Sequence, residues 1–319
     1  MHHVEVKRQM GGGDVSAVLE LLSIAQAVDH HAPLGEHQWL DLVQGGREGF
    51  AGLVAWEPGH DHPVGYAQVS RGTSAHDWAL EYVVDPHHRS PGAGGPAIAD
   101  DLVRAALGVV ADEGGGHVHL WKSKPSADDD AVAASNGLSR GRDLYQMRRP
   151  LPVHGESWTL TTRPFVVGQD EEAWLAVNNR AFHWHPEQGG WTLDVLRERE
   201  QQPWFDASGF LLHEREGRLA GFCWTKVHDD RVAAPGRYGQ DPPMGEIYVI
   251  AVDPDFAGLG LGRALTLAGL DHLASRGLRI GMLYVDAGNT AAVRLYEKLG
   301  FTVDHIDRAY TADVPSAVY

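Results

Sequence analysis

Ile247-Tyr248-Val249-Ile250-Ala251-Val252-Asp253-Pro254, followed at once by Asp255-Phe256-Ala257-Gly258-Leu259-Gly260-Leu261-Gly262-Arg263, decides the fold class. An apolar run closed by Asp-Pro reads as a buried strand that ends at the proline. Three glycines at alternate positions then lead into Leu261, Leu265, Ala268 and His272, with Leu267, Leu270 and Ala274 beside them, the spacing of a helix. A helix start leaves unpaired backbone N–H groups with the positive end of the helix dipole behind them. Glycines remove the Cβ atoms that would keep a ligand away, so the loop suits a diphosphate as well as a tight strand-to-helix turn. It lacks the Gly-Lys-Ser/Thr ending of a nucleotide triphosphatase. It also sits in mid-domain, not after the first strand as in a dinucleotide fold.

The same pattern occurs once more, in the first half. Leu80-Glu81-Tyr82-Val83-Val84-Asp85-Pro86 precedes His87-His88-Arg89-Ser90-Pro91-Gly92-Ala93-Gly94-Gly95. A hairpin-like pair of strands lies upstream of each copy: Leu53–Trp56 with Val64–Val69, and Phe210–His213 with Leu219–Trp224. Another apolar strand lies downstream of each helix, His117–Trp121 or Ile280–Val285. Two tandem mixed α/β domains, each a central mixed sheet flanked by helices, are expected over 1–150 and 151–319. The prolines of Arg149-Pro150-Leu151-Pro152 mark the boundary.

The 319 residues fit two domains. With 43 acidic against 27 basic residues and a formal charge of −16, the chain lacks the basic balance that nucleic acid or an anionic membrane surface requires. The one cysteine, Cys223, precludes an intramolecular disulfide and reads as a small buried hydrophobe in a strand. No apolar run is long enough for a membrane span, and Met1-His2-His3-Val4-Glu5 begins no signal pattern, so a cytoplasmic monomer is expected. The 19 histidines include the pairs His60/His62, His117/His119 and His183/His185. None has a third ligand nearby in sequence, so all read as solvated or structural and no metal is expected.

The strand ending in Val-Asp-Pro with a Gly-x-Gly helix start resembles the acyl-coenzyme A motif of the GCN5-related N-acetyltransferases. That motif is Arg or Gln, two residues, Gly, one residue, then Gly or Ala. Arg89-Ser90-Pro91-Gly92-Ala93-Gly94 matches it fully, whereas the second copy has Ala257 in place of the Arg or Gln. Asn289-Thr290-Ala291-Ala292-Val293-Arg294-Leu295-Tyr296-Glu297-Lys298-Leu299-Gly300-Phe301 resembles the family's second signature. A narrower resemblance, to the tandem branch of this family that completes mycothiol, spans essentially the whole chain. It rests on Asn178–Trp191 and Trp224-Thr225-Lys226-Val227-His228.

The resemblance implies acetyl transfer from acetyl-coenzyme A to the cysteinyl amine of a cysteine–glucosamine–inositol conjugate, by the C-terminal copy. It implies that backbone groups of Ile250, Ala251 and Val252 pair with the pantetheine arm. Ala257, Gly258, Leu259, Gly260, Leu261, Gly262 and Arg263 would hold the diphosphate, and Asn289 to Arg294 (Asn289, Thr290, Ala291, Ala292, Val293, Arg294) would complete the wall. In the first half Tyr82, Val83 and Val84 with Arg89, Ser90, Pro91, Gly92, Ala93 and Gly94 would take a second acetyl-coenzyme A. Glu36, Glu187, Lys226, Glu246 and Tyr284 would touch the acceptor. Glu246, at the start of its strand, stands where the family keeps its base. Read alone it is an exposed charge.

Tyr296 belongs to an Ala292, Leu295, Tyr296, Leu299 stripe and reads alone as a core aromatic; a hydroxyl titrating near ~10 also suits proton delivery to a thiolate near ~8.5. Aligning the two Asp-Pro pairs puts Trp78 where Glu246 stands, and Asp130–Leu138 holds no tyrosine. The first copy is thus expected to bind without turnover. Another acceptor amine, such as an aminoglycoside, or a non-catalytic acyl-coenzyme A sensor remain as alternatives.

Overall fold

The computed structural model describes the chain except residues 1, 73–75, 91, 93, 185–187, 229–242 and 318–319, and except the side chain of residue 36. The chain forms two compact units, one running up to Leu144 and resuming at His305, the other from Tyr145 to Asp304.

The first half of the chain runs β1 (His3–Lys7), α1 (Gly12–Asp29), α2 (Glu36–Val43), β2 (Phe50–Trp56), β3 (Gly65–Arg71), β4 (Asp77–Val84), α3 (Gly95–Asp112), β5 (Gly116–Ser123), α4 (Ala127–Ser135) and β6 (Ser139–Pro150). The second half repeats that order as β7 (Arg163–Pro164), α5 (Glu171–Ala181), α6 (Leu193–Glu200), β8 (Phe210–Arg215), β9 (Arg218–His228), β10 (Met244–Val252), α7 (Leu261–Ser275), β11 (Ile280–Asp286), α8 (Thr290–Lys298) and β12 (Thr302–Val314). The duplicated α/β plan expected from the repeat is therefore present.

Each unit closes its sheet with the strand that ends the other half of the chain. Sheet order is β1-β2-β3-β4-β5-β12 in one and β7-β8-β9-β10-β11-β6 in the other. From Asp307 to Val314, β12 pairs antiparallel with Ser123 to Gly116 of β5. Both sheets are mixed: β4 and β5 are parallel, as are β10 and β11, and the hairpins are antiparallel.

Each sheet is covered on both faces. In the first unit Leu80, Tyr82 and Val84 pack toward Ile98, Leu102 and Val109 of α3, while Val83 packs toward Val18, Leu21 and Leu22 of α1. In the second, Ile247 joins Leu265, Leu270 and Tyr296 on the α7 and α8 face. Val249 joins Trp174, Leu196, Phe210 and Trp224 on the α5 and α6 face. In β4 the two faces follow from the period-2 alternation of a strand, whereas Ile247 and Val249, two residues apart, face opposite ways because the β9–β10 register shifts between them. Cys223 is fully buried in the α7-face core, as read from its apolar run. Among the described residues, no helix is long and apolar enough to cross a membrane.

Candidate active site

The site of the second unit begins with a fault in β10. Parallel pairing to β11 covers only Gly245, Glu246 and Ile247, opposite Gly281, Met282 and Leu283. Pairing to β9 continues to Val252, with a register shift between Ile247 and Val249. Tyr248 is the extra residue. A bulge of this kind bends a strand and disrupts its ladder. Past it, Ile250, Ala251 and Val252 stay paired to Cys223, Phe222 and Gly221 on one side, and the edge toward β11 opens. That opening is where a pantetheine amide chain could pair with backbone.

The opening leads to the glycine loop. Gly258 and Gly260 adopt φ of 80° and 75°, the left-handed region, and open space lies where a Cβ would project from either. Helix α7 starts at Leu261 on the Gly260 cap, with no side-chain cap hydrogen bond, so no side chain competes for its N-terminal N–H groups. Arg263 pairs with Glu156 and donates to the Ser157 carbonyl at 3.3 Å. At α8, Asn289 Oδ1 accepts from the Ala292 N–H at 3.2 Å and caps the helix that carries Thr290, Ala291, Val293 and Arg294.

Glu246 is 6% exposed, not the surface charge its position in sequence allows. It faces Lys226 across the β9–β10 ladder, and cross-strand partners share a face. The Lys226 ammonium lies 4.2 Å from the Trp204 ring centroid and 5.1 Å from that of Tyr248, which sets the pair on the aromatic α5 and α6 face. His228 Nε2 stands 2.6 Å from Glu246 Oε2, and the His228 side chain is 35% exposed. His228 thus links a buried carboxylate to solvent, a connection the sequence does not display. Tyr284 points to the same face, between Leu283 and Val285, which face α7; its hydroxyl accepts from Gln146 Nε2 at 2.8 Å. Tyr296 lies on the opposite face, buried beside Phe301, and burial raises its hydroxyl pKa well above the ordinary value. Glu187 and the Glu36 side chain lie outside the described residues.

The first unit keeps the loop and loses the bulge. Its β3–β4 ladder runs without a shift from Gly65↔Val84 to Arg71↔Trp78. Ala79 opposes Ser70 and His119, the positions that match the Lys226 and Met282 partners of Glu246. The counterpart of Glu246 is therefore Ala79, not Trp78. Trp78 points to the α3 face, because a one-residue slip turns a side chain to the other side of the sheet.

A carboxyl group does stand two residues along, on the α1 face. Glu81 Oε2 accepts from the Gly35 N–H at 2.7 Å, and burial pushes its pKa up to about 7. The gap beyond Leu80 is partly occupied. Lys122 Nζ lies 3.9 Å from the Tyr82 ring centroid and reaches the Tyr82 carbonyl, and the Tyr82 hydroxyl donates to Asp129 at 2.7 Å. Arg89 is committed to Asp29, at 2.7 Å from Nη2, and to the Val84 carbonyl, at 3.0 Å. Its side chain thus braces the loop, which leaves Ser90, Gly92 and the Gly94 cap of α3 to face a ligand; Pro91 and Ala93 lie outside the described residues.

A doubled sheet with a split between parallel strands and a glycine-capped helix behind it defines an acetyltransferase fold. The family model described as Acetyltransferase (GNAT) family matches residues 177–301. Solved structures agree on the fold. A GCN5-related N-acetyltransferase from Sphaerobacter thermophilus aligns over 99% of this chain and 97% of its own, with a TM-score of 0.69 at 22% identity. A tandem GNAT protein from the clavulanic acid biosynthesis pathway aligns over 99% and 100%, with a TM-score of 0.66 at 16% identity. Curated relatives narrow the class. A mycothiol acetyltransferase of Thermobispora bispora is 45% identical over 96% of this chain and 99% of its own length. That of Acidimicrobium ferrooxidans is 39% identical over 99% and 100%. The chain belongs to the mycothiol acetyltransferases of the GNAT family.

Proposed function

We propose that the second unit transfers the acetyl group of acetyl-coenzyme A to the cysteinyl amine of a cysteine–glucosamine–inositol conjugate, completing mycothiol. The observation that carries the chemistry is the buried Glu246 carboxylate bonded to the half-exposed His228 beside the opened strand edge.

The glycine loop and the N–H groups of Leu261, Gly262 and Arg263 are suited to a diphosphate, with Asn289 to Arg294 forming the neighbouring wall. Ile250, Ala251 and Val252 offer backbone partners to the pantetheine amides, which aims the thioester at the bulge. Attack needs the neutral amine. An α-amine titrates near ~8, so at pH 7 its deprotonation costs only about 1.4 kcal/mol. Glu246 receives that proton and His228 passes it to solvent. Attack on the thioester carbon forms the C–N bond, and collapse breaks the C–S bond with the electron pair leaving on sulfur. Tyr296 is protonated at neutral pH at the ordinary tyrosine pKa near ~10, so its hydroxyl can donate to the departing thiolate. Lys226 and Tyr284, on the Glu246 face, offer a cation and a hydroxyl to a polyhydroxylated acceptor.

The first unit is assigned acetyl-coenzyme A binding without turnover. Ala79 supplies no base, and α4 carries no tyrosine. The test is a comparison of kcat/KM for the conjugate with an aminoglycoside panel. Preference for the conjugate supports the reading, comparable turnover of the panel removes the acceptor assignment, and binding of acetyl-coenzyme A with no turnover favours a sensor.

A further inference from the structure

Glu57, His60 and His88 bring one oxygen and two ring nitrogens within 4.8 Å of one another in the first unit. Glu57 and His60 come from the connection between β2 and β3, and His88 ends the 3-10 turn Pro86–His88 that follows β4. The pairing by sequence of His60 with His62 does not survive folding. His62 Nε2 turns to Asp85 Oδ2 at 3.0 Å, and His60 stacks edge-on against His88 with centroids 4.6 Å apart. Glu57, three residues before His60, and His88, from beyond β4, supply the other two ligands.

The spacing selects a chemistry. His88 Nε2 and His60 Nε2 stand 3.5 and 3.8 Å from Glu57 Oε2. These separations exceed good hydrogen bonds. Ligands held ~2.0–2.1 Å from a tetrahedral zinc lie roughly 3.3–3.4 Å from one another, which the two Glu57 separations approach, while all three ligand atoms lie within 4.8 Å. His88 is prepared for that role. Its Nδ1 lies 3.2 Å from Oδ2 of Asp85, whose side chain is 2% exposed, and this contact turns Nε2 toward Glu57. Metal-bound histidines are held by carboxylates in this way. The His87 N–H donates to Asp85 Oδ1 at 2.9 Å, which fixes the carboxylate in turn, and the His88 N–H closes the turn on the Asp85 backbone carbonyl at 2.8 Å.

We propose that Glu57, His60 and His88 bind one zinc-class divalent ion, with water in the fourth position. The donor set of two imidazoles and a carboxylate suits zinc. The ion would tie the β2–β3 connection to the turn from which the first glycine loop departs. Arg89 follows His88 directly, and a Cβ on Gly95 would lie 2.4 Å from the His88 carbonyl.

The test uses untagged full-length protein, stripped with chelator and titrated with zinc against a chromophoric competitor. Cobalt(II) serves as a spectroscopic probe of coordination. We expect one tight equivalent per chain and the intense visible bands of a four-coordinate cobalt site. His60→Ala and Glu57→Gln each should weaken zinc roughly 100-fold, while His117→Ala, on β5, leaves it unchanged. His60 and Glu57 lie on a surface connection, and circular dichroism verifies that the variants fold. Zinc binding that is weak and multiple, or that persists undiminished in both variants, overturns the proposal.

Discussion

Replacing Glu246 with Gln isolates the carboxylate. The two side chains are nearly the same size, so the buried site keeps its volume and an oxygen to face His228. What disappears is the ability to take a proton. Loss of a positioned general base costs typically 10²–10⁴ in rate, about 2.7–5.5 kcal/mol of barrier at 1.36 kcal/mol per tenfold. The structure places the variant toward the upper part of that range, because Glu246 is 6% exposed and bulk water has little access to replace it. Acetyl-coenzyme A affinity should be unchanged, since Glu246 precedes the bulge at Tyr248 and the strand edge proposed for pantetheine begins beyond it. The assay is steady-state release of coenzyme A with saturating conjugate, paired with calorimetric titration of acetyl-coenzyme A. A fall in kcat of less than about tenfold would refute the base assignment. A matching loss of cofactor affinity would refute the separation of base from cofactor edge.

The remaining expectations concern single sites. Tyr296→Phe should lower kcat by roughly 100-fold with little change in acetyl-coenzyme A binding, measured by the same pair of assays. Gly260→Ala forces a Cβ into a backbone with φ of 75° at about 1–2 kcal/mol, and should weaken acetyl-coenzyme A roughly tenfold or more in calorimetry. Glu81 gives a pH signature. Its pKa is raised from 4.5 to about 7, so the folded chain holds a proton that the unfolded chain releases, and stability falls as pH rises through that interval. Glu81→Gln should therefore gain on the wild type between pH 5 and 8, by up to about 3 kcal/mol, in urea unfolding. The Cys223 thiol, fully buried and raised in pKa by that burial, should resist an aromatic disulfide reagent in the native protein and react once on unfolding.

Local chemistry carried much of this architecture. Strands ended by Asp-Pro, helices begun by glycine, and their recurrence revealed the doubled α/β plan, because those signals depend on near neighbours in sequence. The exchange of β6 and β12 has no such signal. Which strand completes which sheet depends on pairing between residues far apart in the chain. The bulge at Tyr248 is equally silent, and without it the repeats align with Trp78 opposite Glu246 and the wrong face outward. Glu246 and Tyr296 were visible by position, but His228 became a partner only when β9 and β10 paired. Arg89 illustrates the reverse case: the residue fits the motif, and the fold spends its guanidinium on Asp29 and Val84. His60 needed His88, brought to it from beyond β4.

The most direct measurement is mass spectrometry of the product formed from acetyl-coenzyme A and the conjugate with its thiol blocked by methylation. The account predicts one acetyl group on the cysteinyl nitrogen, with none formed by Glu246→Gln on the same timescale. An unmodified conjugate, or acetylation that proceeds equally well without the carboxylate, would contradict it.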